Sequence, residues 1–79
     1  MLALPDDDDD SWLSEVHQTI GDRVRSERLR QNLTQDAVWQ AARIDRRTLQ
    51  HVEAGRDVKL STLARVARVL GVPLADLMQ

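Results

Sequence analysis

Seventy-nine residues allow one small domain, and a chain of that length buries only about 60% of its unfolded surface on folding. The absence of Cys, Phe and Tyr excludes disulfides, thiolate metal sites and Cys nucleophiles. It leaves a core built from Leu, Val, Ala and Ile, with Trp12 and Trp39 as its only aromatics. The net charge of −2 averages two unlike parts, because residues 1–20 carry −6 and residues 21–79 carry +4. A small basic body points to a polyanionic partner. No apolar run approaches the ~20 residues of a membrane span, and no basic-then-apolar leader opens the chain. The expectation is a soluble, cytoplasmic protein with no membrane partner.

Residues 1–10 read as an acidic, disordered arm: an apolar start, Pro5, then Asp6 to Asp10, which repel one another. Nothing in the run has the ligand spacing or turn glycine of a cation site. From residue 11 to residue 79 the pattern is helical. Ser11 is placed to cap a first helix over about 12–31, in which Leu13, Val16, Ile20 and Val24 recur at steps of three and four. Gly21 interrupts that stripe at a cost of about 1 kcal/mol relative to Ala, so residues 12–20 read either as a separate piece of helix or as its continuation. Asn32 suits the left-handed residue that ends a helix.

Thr34 then caps a short helix over about 35–42, with Leu33 and Val38 where a hydrophobic staple places them. The arrangement repeats, with Asp45 capping a helix over about 46–54, Ile44 and Leu49 at the staple positions, and Gly55 closing it. Two short, separately capped helices joined by about three residues make a helix-turn-helix. A loop over 55–60 leads to a fourth helix, about 62–70, capped by Ser61 or Thr62 and carrying Leu63, Val66, Ala67 and Leu70 at helical spacing. Gly71 ends it, and Pro73 opens a last turn over 73–78 with Leu74, Leu77 and Met78 on one face. The expected fold class is all-α, a compact bundle of about five short helices around a central helix-turn-helix.

Three segments, IGDRVRSERLRQNLTQ, RIDRRTLQHVEAG and LSTLARVARVLGVPLADLM, stand in order and at spacings that resemble the phage repressor/Cro (XRE-type) helix-turn-helix family. The resemblance covers residues 20–78. It implies a repressor-like DNA-binding domain whose helix 46–54 lies in the major groove. It also implies base contacts from Arg46, Arg47, Gln50 and His51. Phosphate contacts are expected from Gln35, Thr48, Arg56 and Lys59, and Arg28 with Glu53 matches the family's internal salt bridge between the first and third helices. Two positions depart from the family pattern. Trp39 replaces a small residue at the crossing of the two motif helices, which predicts a wider crossing, and Arg43 replaces the turn glycine, which predicts a left-handed arginine.

The residues of helix 46–54 point the same way by themselves. Asp45 agrees with the helix dipole, but two arginines in the first turn oppose it, at roughly 0.3–1 kcal/mol each when exposed. A local rule broken without structural return marks a functional position, and Arg suits the O6/N7 edge of guanine. Leu49 and Val52 take the core side, which turns Arg46, Arg47, Gln50 and His51 outward. His51 has no second metal ligand nearby, and Arg65 with Arg68 reads as a solvated face.

No Ser/His/Asp or paired-carboxylate arrangement and no phosphate-cradling glycine loop is present, so an enzyme is not expected, nor is any metal or cofactor. The leading expectation is a sequence-specific transcriptional regulator, a repressor acting as a homodimer on double-stranded DNA. The alternative is a protein-interaction module on the same fold, such as an antitoxin bound to its toxin or a coactivator-like adaptor, with a small protein as partner. With no second domain, the dimer surface falls to Leu74, Leu77 and Met78 or to the 12–20 segment with Trp12, unless that apolar set simply closes the core. The acidic arm reads either as a solubilising disordered tail or as a segment that competes with DNA phosphates for the arginines.

Overall fold

The computed structural model describes residues 10–79, and the expectations for the arm over residues 1–9 lie outside the described residues. Five helices run in chain order: α1 Ser11–Arg30, α2 Gln35–Ala42, α3 Arg46–Glu53, α4 Leu60–Leu70 and α5 Leu74–Leu77. No strand occurs among the described residues, so the domain is the all-α helix-turn-helix bundle its periodicity predicts.

The turns set this arrangement. Thr34 Oγ1 accepts the N–H of Ala37 at 3.0 Å, and Asp45 Oδ1 accepts that of Thr48 at 2.9 Å. Each bond satisfies an N–H group that the first helical turn leaves open. Both helices before the motif turns end on left-handed residues, Asn32 at φ 58 and Arg43 at φ 59. These reverse the chain sharply enough for Leu33 N–H to reach Arg28 O and Ile44 N–H to reach Trp39 O. Gly55 and Gly71 do the same after α3 and α4. Arg43 thus holds a conformation that costs a residue with a Cβ roughly 1–2 kcal/mol.

The core is Ile20 and Val24 from α1, Val38 and Ala42 from α2, Leu49 and Val52 from α3, four residues of α4 and Leu77. α1 is one helix through Gly21, and the glycine is there for a neighbour. A Cβ at this position would stand 2.5 Å from Val52 O and 2.9 Å from Glu53 O, so α1 crosses the end of α3 backbone to backbone.

Several boundaries differ from the sequence expectation. Ser11 is the first residue of α1 and not its cap, and Asp10 precedes it without a side-chain capping bond. α1 ends at Arg30 with Gln31 outside it, and α3 ends at Glu53 with Ala54 outside it. α4 begins at Leu60, two residues earlier than expected, so Ser61 and Thr62 are helical and Lys59 holds the cap position without a side-chain bond. Pro73 precedes α5 and does not open it. The apolar stripe of α1 is only partly used. Val24 and Ile20 are buried and Val16 is half-buried, while Leu13 and Trp12 are exposed where α1 runs past the elements that could cover them. Leu77 is buried and closes the core, which removes it from any surface between copies.

Candidate nucleic-acid interface

The surface of interest is α3 with the start of α2 and the loop that follows α3. Arg46, Arg47 and Gln50 are exposed on α3, and Thr48 and His51 are half-buried. The reason is the helical period: with Leu49 and Val52 fully or nearly fully buried, Arg47, Gln50 and His51 fall on the side of the helix away from the core, with Arg46 and Thr48 on its flanks.

A polar network behind α3 fixes its orientation. Arg28 Nε donates to Glu53 Oε2 at 2.8 Å and its Nη2 to Glu53 Oε1 at 3.0 Å. The remaining guanidinium arm donates to Leu33 O at 2.9 Å. The two side chains are only 10% and 6% exposed, so this is a two-point ion pair held out of water, the geometry that arginine's planar fork suits. Gln35 Nε2 adds a third donor to Glu53 at 3.3 Å. Arg28 of α1 and Gln35, the first residue of α2, therefore converge on the carboxylate of the last residue of α3, while the α1–α2 turn holds the third arm of the guanidinium. Among the described residues, no buried side-chain nitrogen or oxygen lacks a hydrogen-bond partner.

At the other end of α3 the cap draws in a second residue. Thr48 Oγ1 donates to the same Asp45 oxygen that accepts its N–H. These two bonds, with the charge of Arg47 nearby, hold the Asp45 carboxyl below the usual range. Arg46 Nη2 lies 3.3 Å from Asp36 Oδ1, which also accepts the indole N–H of Trp39 at 2.8 Å. Trp39 is half-buried and packed against the core with its polar edge tied to its own helix. Asp36 was not legible as a site residue, although its position three before Trp39 was a usable signal.

Gln35, Arg46 and Thr48 thus have partners within the domain, while Arg47, Gln50, Arg56 and Lys59 are exposed and make no side-chain hydrogen bond or ion pair with other described residues. His51 lines an open cleft with Leu13, His17, Arg56 and Asp57, in which His17 Nε2 lies 3.5 Å from Asp57 Oδ1. No spacing along the chain connects these groups, because the fold brings the start of α1 against the loop after α3. Among the described residues no group of three or more His, Asp or Glu side chains could hold a metal ion, and no helix is long and apolar enough to cross a membrane.

No curated protein matches the chain. The restriction-modification controller protein C.AhdI from Aeromonas hydrophila is similar in structure at a TM-score of 0.73 and 27% identity, over 77% of this chain and 94% of that one. A hypothetical transcription factor, NHTF, from Neisseria is similar at a TM-score of 0.77 and 24% identity, over 100% of this chain and 90% of that one, which speaks to fold alone. The helix-turn-helix domain family matches residues 19–78. That span takes in all but the start of α1, together with the capped α2–turn–α3 unit, and the chain belongs to the helix-turn-helix family of DNA-binding domains.

Proposed function

We propose that the protein is a sequence-specific transcriptional regulator, a repressor that binds double-stranded DNA as a homodimer in the cytoplasm and reads the major groove with α3. The observation that carries the reading is the row Arg46, Arg47 and Gln50, exposed on a helix whose other face is locked into the core and whose last residue is pinned by Arg28. A rigid helix offering arginine and amide side chains can make bidentate contacts to guanine and adenine edges, each contributing roughly 1–3 kcal/mol of discrimination. His51, at the half-buried end of the row, serves as a further base-edge donor. The similarity to a restriction-modification controller protein supports a regulatory role.

Arg56 and Lys59, exposed in the loop after α3, contact phosphate and set the register without reading sequence. Gln35 and Thr48 join them through small side-chain rotations, since each is held by a single donated bond within the domain. Arg46 leaves Asp36 when a guanine is offered. That pair is more than half exposed on both sides and is worth no more than about 1 kcal/mol. For the alternative, a protein-interaction module, the half-buried Trp39 ring with its N–H bonded to Asp36 offers no comparable support.

Selection from random duplex DNA tests the proposal. A palindromic site should be enriched, with half-sites about 34 Å apart if two copies enter successive major grooves. Affinity should also fall with salt: two loop cations per copy, four per dimer, give a slope of about −4 and a loss of roughly a hundredfold between about 50 and 200 mM. No enriched site, together with salt-independent binding, would overturn the reading.

A further inference from the structure

Asp36 is an acidic residue on a surface proposed to meet a polyanion. It stands exposed in the first turn of α2, where its charge suits the helix dipole. The dipole does not account for its partners. Asp36 Oδ1 accepts the indole N–H of Trp39, one turn along the same helix, at 2.8 Å. The same oxygen lies 3.3 Å from Arg46 Nη2 on α3. The indole bond sets the direction of the carboxylate, and Oδ2 accepts no hydrogen bond among the described residues. One oxygen is thus tied down on both motif helices, and the other is left open beside the first exposed arginine of α3.

The inference rests on the function proposed above, in which Arg46 gives up Asp36 for a guanine. The pair is more than half exposed on both sides, so opening it costs little. Opening it also strands a carboxylate beside DNA phosphates, and that repulsion penalises every sequence that offers the carboxylate nothing. A carboxylate only accepts hydrogen bonds, and the major groove donates only from cytosine N4 and adenine N6. Adenine sets the acceptor N7 beside its amino group, which repels a second acceptor. In a G·C pair the neighbouring acceptors, O6 and N7, are the ones an arginine takes. Side chains that start 3.3 Å apart reach targets in one base pair or in adjoining ones, which stack at about 3.4 Å. We propose that Asp36 is a base-reading residue. The Arg46–Asp36 ion pair opens across G·C, the guanidinium going to guanine and the carboxylate accepting the free amino hydrogen of the cytosine in the same or the adjoining pair. Trp39 keeps its bond to Oδ1 and is a positioning residue, and the motif reads bases from α2 as well as from α3.

Selection from random duplex DNA with the full-length parent, Asp36→Ala and Arg46→Ala names the base pairs concerned. Anisotropy then measures affinity for the enriched duplex with cytosine or N4-methylcytosine at those pairs. The methyl group takes the place of the free amino hydrogen and leaves the pairing one. The parent should enrich a G·C pair in each half-site whose preference falls in both alanine variants. Asp36→Asn should move the cytosine preference toward adenine, because an amide suits N6 with N7. N4-methylation should cost the parent roughly tenfold in affinity, the share of one hydrogen bond to a charged group, and should cost Asp36→Ala little. Trp39→Phe keeps a ring, loses the N–H and should fall between them. Identical base preferences in the parent and Asp36→Ala would overturn the proposal and leave readout by α3 standing. A parent indifferent to N4-methylation would overturn it too, since Asp36 would then only hold Arg46. A parent that enriches no site would remove the proposed function itself, and this inference with it. Asp36 is exposed and alanine is the best helix former, so Asp36→Ala should keep the parent's circular dichroism, and the parent's response to methylation needs no variant at all.

Discussion

Arg28 shows how a single buried charge ties α1 to the end of α3 and to the α1–α2 turn. Its guanidinium makes two bonds to Glu53 and one to Leu33 O. Arg28→Met should therefore cost about 3–5 kcal/mol, because Glu53 is then stranded out of water. The double variant Arg28→Met with Glu53→Leu removes both charges and should lose much less, and denaturant unfolding of the three proteins measures the difference. Arg43 is the opposite case, a residue the backbone would rather not have. Arg43→Gly relieves the left-handed strain but adds freedom to the unfolded chain, and the net should be a gain of about 0.5–1 kcal/mol, visible as a raised thermal midpoint. An unchanged or lower midpoint would mean that the strain is already relaxed. Two surface carboxylates add a pH dependence whose sign is fixed. The Arg30 hydrogen bond, then that of Gln31, holds Glu27 down to about 2 from 4.5, and Thr48 lowers Asp45. Both carboxyls are depressed in the folded state, so their contribution is complete above the unfolded carboxylate range and is lost as pH falls through the folded values. The thermal midpoint should hold level down to about pH 5 and fall between about 4.5 and 2, and Glu27→Gln with Asp45→Asn should flatten that fall.

Among the elements, the crossing of α1 over α3 carries the least slack. Gly21→Ala would drive a methyl group into Val52 O and Glu53 O, both backbone atoms that cannot rotate away, and overpacking of this kind costs about 1–3 kcal/mol. The expected result is a lower melting temperature with α1 still helical; an Ala variant as stable as the parent would show that the helices separate freely. The same glycine marks where sequence reasoning runs out. Intrinsic propensity sees only an unfavourable residue inside a helix, whereas the reason for it lies more than thirty residues away in the chain. The capped turns were legible because their physics is local: Thr34 and Asp45 bond to N–H groups three residues on, and Asn32 and Arg43 bend only their own backbone. The stripe of α1 was over-read at Leu13, since periodicity reports that a face is apolar and not whether another element reaches it. The start of α4 at Leu60 was missed because its cap position, Lys59, makes no side-chain bond and so leaves no signature. The bonds of Gln35 to Glu53 and of Arg46 to Asp36 join different helices, and no spacing rule within one helix announces them. The shared cleft of His17 and His51 is equally non-local.

For the whole molecule, the proposed function divides the cations by what their loss should change. Arg46 and Arg47 stand at the start of α3, which is capped by Asp45 and backed by the core, and the proposed reading gives them the base edges. Arg56 and Lys59 stand in the loop, exposed and free of ion pairs among the described residues, and the proposed reading gives them the sugar-phosphate chain. Arg46→Ala and Arg47→Ala should therefore cut the ratio of operator to random-DNA affinity, by about 1–3 kcal/mol where a bidentate contact is lost. The melting temperature should barely move, because Arg46 gives up only an exposed pair with Asp36. Arg56→Ala and Lys59→Ala should weaken operator and random DNA by the same factor, and each should lower the magnitude of the salt slope by about one per contact removed. Anisotropy titrations with the two duplexes at three salt concentrations separate these outcomes in one experiment. Four variants that lose affinity in the same proportion on both duplexes would mean that α3 does not read bases. Recognition would then rest on charge and DNA shape alone, and the row Arg46, Arg47 and Gln50 would be one more stretch of the basic surface.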